Sequence, residues 1–180
     1  MMRDARILAW VLADPTRMAQ LSSVQREGIS RIAEAEGMAE DLAQALAGPV
    51  LANAPPEAGL EGEICRAAVA LLEKGALEQG LQRLLQINVM VQQGKARPDF
   101  WDRLAQESRA QRATPAVSRA LRLCRHLFET EVDPFLAWQG QRSDIFFVGR
   151  LLARNGAGRE TAGWLRLAFR LRARWTAWRG

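Results

Sequence analysis

Apolar residues recur at three- and four-residue intervals along almost the whole chain, and no stretch alternates strictly enough to suggest a half-buried strand. The longest such pattern is 76–93, ALEQGLQRLLQINVMVQQ, in which Leu77, Leu81, Leu84, Leu85, Asn88 and Val91 line one face. Ile87 and the run Val89 to Val91 widen that face past half the circumference, so the pattern predicts a central helix packed on more than one side. Ahead of it, Asp4 to Ala13 forms a short helix that Asp14-Pro15 stops, because the residue before a proline is pushed out of the helical region. Ser22 and Gln25 have the spacing of a capping box, opening a helix through Ile29 and Ile32 that Gly37 closes with a left-handed turn. A third helix covers Met38 to Ala47, and a fourth Leu60 to Glu73, ended by Lys74-Gly75.

After the central helix, the periodicity predicts helices over Pro98 to Arg112 and from Thr114-Pro115, taken as a cap, through Phe128. The acidic segment Glu129 to Pro134 breaks the pattern, and Phe135, Leu136 and Trp138 make a short apolar turn. Ser143 caps a further helix through Leu152, ending at Asn155-Gly156, and a last helix runs from about Arg159 to Trp178. The expectation is an all-α, bundle-like single domain of about eight helices. Its sections are N-terminal helices over 1–47, a proline- and glycine-rich linker over 48–59, a central helical core over 60–139 and basic C-terminal helices over 140–180. Trp10, Trp101 and Trp138 are expected as core anchors.

Composition narrows the picture. A chain of 180 residues can bury roughly 70% of the surface its unfolded form exposes, so it needs no metal or disulfide to fold. The absence of Tyr and the scarcity of Val and Thr runs disfavour sheet. Cys65 and Cys124, the only thiols, fall among apolar helix positions and read as buried free cysteines, which suits a reducing, cytoplasmic setting. The first apolar run is too short for a membrane span and has no small-residue cleavage site, so neither a signal peptide nor a transmembrane segment is expected.

Charge is polarised. The net charge is +5, but 140–180 carries nine arginines against Asp144 and Glu160, leaving the remainder slightly acidic. Within the last predicted helix, Arg166, Arg170 and Arg174 share a face, flanked by Arg159, Arg172 and Arg179, while Trp164, Trp175 and Trp178 join Leu167, Phe169 and Leu171 on the apolar side. Such a helix can grip phosphates and stack bases, lie on an anionic membrane surface, or dock on an acidic protein partner. Tryptophans beside arginines are the composition of interface hot spots, so Trp164, Trp175 and Trp178 are the expected anchors.

No catalytic or metal-binding constellation and no cofactor motif is read. His126, the single histidine, has no serine or cysteine nucleophile placed near it, and Cys124 points to another side of its helix. The run Glu129, Glu131 and Asp133 has no glycine turn and precedes a proline, which is poor context for a metal site.

From Ala67 to Pro134, the order AAVALLEKGALEQGLQRLLQINVMVQQ, PDFWDRLAQESRAQRATPAVSRALRLCRHLF and ETEVDP resembles the helical parts of the uncharacterised nucleotidyltransferase family, related to the polymerase-beta-type fold. The opening RILAWVLADPTRMAQLSSVQREGISRIAEAEGMAEDLAQAL is similar to that family's N-terminal helices. What the resemblance implies for activity is limited by what is missing. Nucleotide transfer in that family needs a Gly-Ser or Gly-Gly turn at the triphosphate and an Asp-x-Asp pair to hold magnesium, and this chain has neither. The resemblance therefore implies a helical frame without its enzyme. The expected function is a non-catalytic binding or scaffold protein that docks on a larger protein assembly through its C-terminal helices. The alternatives are a small nucleic-acid-binding subunit contacting the phosphate backbone without reading sequence, and, more remotely, a degenerate or partner-dependent nucleotidyltransferase-like protein.

Overall fold

The computed structural model describes residues 4–47, 59–73, 79–138, 144–153, 155, 157 and 159. Among the described residues every regular element is a helix: α1 (Asp4–Ala13), a 3-10 turn (Pro15–Gln20), α2 (Ser23–Glu36), α3 (Ala39–Ala47), α4 (Leu60–Glu73), α5 (Gly80–Gly94), α6 (Phe100–Ala110), α7 (Thr114–Phe128), α8 (Pro134–Ala137) and α9 (Ile145–Leu151). The chain is all-α, as the periodicity requires. None of the described helices is long and apolar enough to cross a membrane. Two compact units divide these elements: the first holds α1, the 3-10 turn, α2, α3, the first turn of α5 and α9, and the second holds α4, the remainder of α5, α6, α7 and α8.

In the first unit, α1 packs on α2 and on the 3-10 turn, and α2 packs on α3. Ala5, Leu8, Ala9 and Val11 of α1 and Ile29, Ile32 and Ala33 of α2 are all buried. The helix ends follow local chemistry. Asp14 leaves α1 and caps the next turn, its Oδ1 accepting from Thr16 N at 3.1 Å and from Thr16 Oγ1 at 2.6 Å. These bonds, led by the one from the Thr16 side chain, hold the Asp14 carboxyl below its ordinary range. The capping box at α2 is complete: Ser22 Oγ accepts from Gln25 N at 3.3 Å, and Gln25 Oε1 accepts from Ser22 N at 2.9 Å. Gly37 closes α2 at φ 75°, a left-handed turn that a Cβ would strain, and Gln82 Nε2 donates to its carbonyl at 2.9 Å.

In the second unit, α5 and α7 are both heavily buried. Leu84, Ile87 and Val91 of α5 and Val117, Ala120, Leu121, Leu123 and Cys124 of α7 have almost no solvent contact. Centrality is thus shared between two helices. A polar line joins them: Cys124 Sγ donates to Leu84 O at 3.7 Å, and Thr130 Oγ1 donates to the buried Asn88 Oδ1 and lies 3.3 Å from Cys124 O. Asn88, which shares a face with leucines in the sequence, is buried because Thr130 satisfies it. At the end of α5, Gly94 lies against the fully buried Phe100 ring; a Cβ built there would stand 2.2 Å from Phe100 Cε2. Only a glycine permits that approach.

Several expectations shift. The central helix begins at Gly80 rather than Ala76, since Gln79 takes a left-handed φ of 53°; residues 74–78 lie outside the described set. Thr114 is not a side-chain cap: the N-cap of α7 is Ala113, and the Thr114 hydroxyl is 3.2 Å from Ser108 Oγ. Trp138 is exposed rather than a core anchor, and Trp10, with Arg17 over its ring at 4.9 Å, and Trp101, edge-on to Phe100 at 4.8 Å, are only half-buried. Ser143 and the predicted linker up to residue 58 lie outside the described residues; Gly59, which opens α4, has φ 101°.

Candidate functional site

Most of the residues singled out for binding, Arg166, Arg170, Arg172, Arg174, Arg179, Trp164, Trp175 and Trp178, lie outside the described residues. Of that set only Arg159 is placed. It is exposed and closes a tight turn in which Asn155 Oδ1 accepts from Ala157 N at 3.1 Å and from Arg159 N at 3.0 Å. Asn155-Gly156 was read as the end of the preceding helix; α9 already ends at Leu151.

Just ahead of that turn, α9 leaves Ile145 77% and Phe146 52% exposed while Phe147, Leu151 and Leu152 are buried. The buried set anchors the helix, and the exposed pair is apolar area left in water. In the second unit a comparable exposure occurs on α8, where Phe135 is 84% and Trp138 42% exposed. The Arg125 guanidinium lies over the Trp138 ring at 5.0 Å, a cation–π contact that leaves both groups at the surface.

The acidic run resolves into structural roles. Asp133 Oδ1 accepts from Leu136 N at 2.7 Å and caps α8, while Glu131 pairs with Lys95 Nζ at 3.3 Å. Among the described residues no cluster of three or more His, Cys, Asp or Glu side chains could hold a metal ion. His126 is exposed. Cys65 and Cys124 are buried free thiols; burial pushes Cys65 up to about 11, helped by the nearby Glu107 charge, and raises Cys124 further still.

Two arrangements carry no clear signal in the sequence. The nearly buried Glu61 of α4 accepts from Arg97 Nη2 and faces Arg103 Nε at 3.6 Å, so one carboxylate neutralises two arginines from the segment that begins α6. In the first unit, a half-open groove of about 680 Å³ runs between α1, the 3-10 turn and α2, lined by Ile7, Trp10, Leu21 and Val24. Much of its polar lining is engaged, Gln25 in the capping box and Glu27 with Arg31. The groove therefore offers apolar contact and little directional chemistry.

Compared with known proteins, the chain matches no family model, no curated protein and no solved structure. The resemblance to nucleotidyltransferase helices accordingly rests on sequence order and spacing alone.

Proposed function

We propose that the chain is a non-catalytic helical binding protein that docks on a larger protein assembly through its basic, tryptophan-rich C-terminal stretch. The observation that carries this reading is the exposure of Ile145 and Phe146 on α9, directly ahead of a stretch dense in arginine and tryptophan. Burial of large apolar groups supplies the affinity of a protein interface, and arginine and tryptophan supply its hot spots. Arg159, Arg166, Arg170, Arg172, Arg174 and Arg179 give the stretch its positive charge, so the partner presents carboxylates. A cytoplasmic setting belongs to the same proposal and is supported by two buried thiols that stay reduced. Kinship in shape with the nucleotidyltransferase frame belongs to the same proposal and rests on the order and spacing of the sequence alone.

The second reading, backbone binding to nucleic acid, is favoured by the arginine excess alone. Purifying the tagged chain from its own host at low salt separates the two. A stoichiometric protein with no excess absorbance at 260 nm is expected, and Trp175→Ala with Trp178→Ala should release it while the fold persists. Nucleic acid that high salt or nuclease removes, with no protein at stoichiometry, would reject the docking reading in favour of the phosphate track.

A further inference from the structure

The four-residue helix α8 is held far more firmly than its size requires. Its N-terminus is capped by Asp133, whose Oδ1 accepts from Leu136 N at 2.7 Å, and Trp138 N donates back to Pro134 O at 3.1 Å. Its last two carbonyls are both taken by α7: Ser118 Oγ donates to Leu136 O at 2.6 Å, and Arg122 Nη1 donates to Ala137 O at 2.6 Å. Leu136 and Ala137 are buried beneath it, and Arg125 braces Trp138 from α7. A turn this short has no helical stability of its own, so its geometry is imposed by α7.

What that pedestal displays is apolar. Phe135 is 84% and Trp138 42% exposed, side by side on a backbone that has lost its freedom before any partner arrives. Rigid mounting lowers the ordering cost of association, which is where preorganised aromatic anchors gain affinity. We propose that Phe135 and Trp138, with Arg125, form a docking anchor for a second protein that offers an apolar pocket flanked by a carboxylate. This surface belongs to the second unit and makes no use of the C-terminal stretch, so it stands or falls apart from the function proposed above.

The charges around the anchor choose between classes of partner. Arg125 is exposed over the Trp138 ring, and its guanidinium asks for a carboxylate. Glu129 and Glu131 are exposed in the connection that leads into α8, and Asp133 sits at its cap. Glu131 is countered by Lys95 and Asp133 is engaged at the cap, so the surface that carries Phe135 and Trp138 holds both signs of charge. A mixed-sign rim around aromatics fits a folded protein surface and opposes a polyanion or an anionic membrane.

The test uses the full chain in its own host with Phe135→p-benzoylphenylalanine, a photo-crosslinking side chain at a position where bulk meets only solvent. The same replacement at the exposed Glu34 serves as control. A discrete adduct to one other protein is expected from position 135 and not from position 34, and its cross-linked peptide should contain apolar residues flanked by Asp or Glu. Adding Arg125→Glu, or Arg125→Gln as the milder change, should lower the yield about fivefold or more, the worth of one interfacial charge pair, while Arg125→Lys should largely restore it. The unfolding midpoint should fall by no more than a few degrees, because the exposed Arg125 gives up only its cation–π contact with Trp138. No discrete adduct, a nuclease-sensitive adduct, an adduct to a second copy of this chain, or a yield indifferent to Arg125 would each overturn the proposal.

Discussion

Gly94 shows how a single side chain, or its lack, sets a helix junction. The Phe100 ring occupies the volume a Cβ would need, with Cε2, Cδ2 and Cζ at 2.2, 2.5 and 2.7 Å from that position, and the ring is fully buried with Trp101 against its face. It has nowhere cheap to go. Gly94→Ala should therefore destabilise the fold by about 1–3 kcal/mol, the range of overpacking a tight core, measured by urea unfolding. In Phe100→Leu the same alanine should cost much less, and a double-mutant cycle reads that coupling directly. Equal cost in both backgrounds would mean the ring is not what excludes the methyl group. The two thiols make a second residue-scale case, governed by burial. With the Cys65 thiol pushed up to about 11, the folded chain holds its proton at pH values where an unfolded chain has begun to ionise. The neutral thiol's contribution to stability is complete below the ordinary thiol value and is lost as pH rises through that value to about 11. In the native state at pH 8, Cys65 and Cys124 should both resist a thiol reagent such as dithionitrobenzoate, and Cys65 should react before Cys124 as the pH approaches 11. Rapid labelling of either at pH 8 would show that its burial is transient.

The helix ends near the N-terminus were legible in the sequence, because capping chemistry is local. Asp14-Pro15, the Ser22 and Gln25 pair, and Gly37 each act on backbone groups within a few residues, and each performs its expected role. Ser22→Ala should cost about 1 kcal/mol in thermal or urea unfolding, since it orphans the Gln25 N–H and uncouples the reciprocal bond to Ser22 N. Gln25→Ala should cost less, because it leaves the serine bond standing; the reverse order would mean the serine hydroxyl contributes little. Coverage was not legible in the same way. The apolar letters of Phe135, Trp138, Ile145 and Phe146 looked like those of core positions, but what covers a side chain comes from segments distant in sequence. Nothing in the pattern around α8 tells that Ser118 and Arg122 would hold its carbonyls from eighteen and fifteen residues away and turn its aromatics outward. The start of α5 was misplaced for a related reason: the spacing continues through Leu77, while the left-handed backbone of Gln79 forbids the helix to follow it.

At the scale of the molecule, two compact units each contain their own buried residues, and this has a measurable consequence. In the second unit the Glu61 carboxylate, facing Arg97 and Arg103, ties α4 to the segment before α6, and Arg97 Nε is buried with no hydrogen-bond partner among the described residues. Arg97 therefore depends on the one carboxylate, whereas Arg103 also pairs with Asp99 Oδ2 at 3.5 Å. Removing its charge with Glu61→Gln leaves a largely buried guanidinium uncompensated, which should cost about 3 kcal/mol, the low end for breaking a buried ion pair, because Arg103 and part of Arg97 still reach solvent. If each unit opens as its own cooperative group, that loss is local. Amide hydrogen exchange in Glu61→Gln should then speed up across α4, α6 and α7, while amides of α1 and α2, which pack on each other and bury Ala5, Leu8 and Ile29, keep their wild-type protection. Uniform acceleration in all of these helices would instead mean that the chain unfolds as one body. The distinction bears on function, since a docking surface on α8 could then be loosened by a change in the second unit without loosening α9 and the basic stretch beyond it.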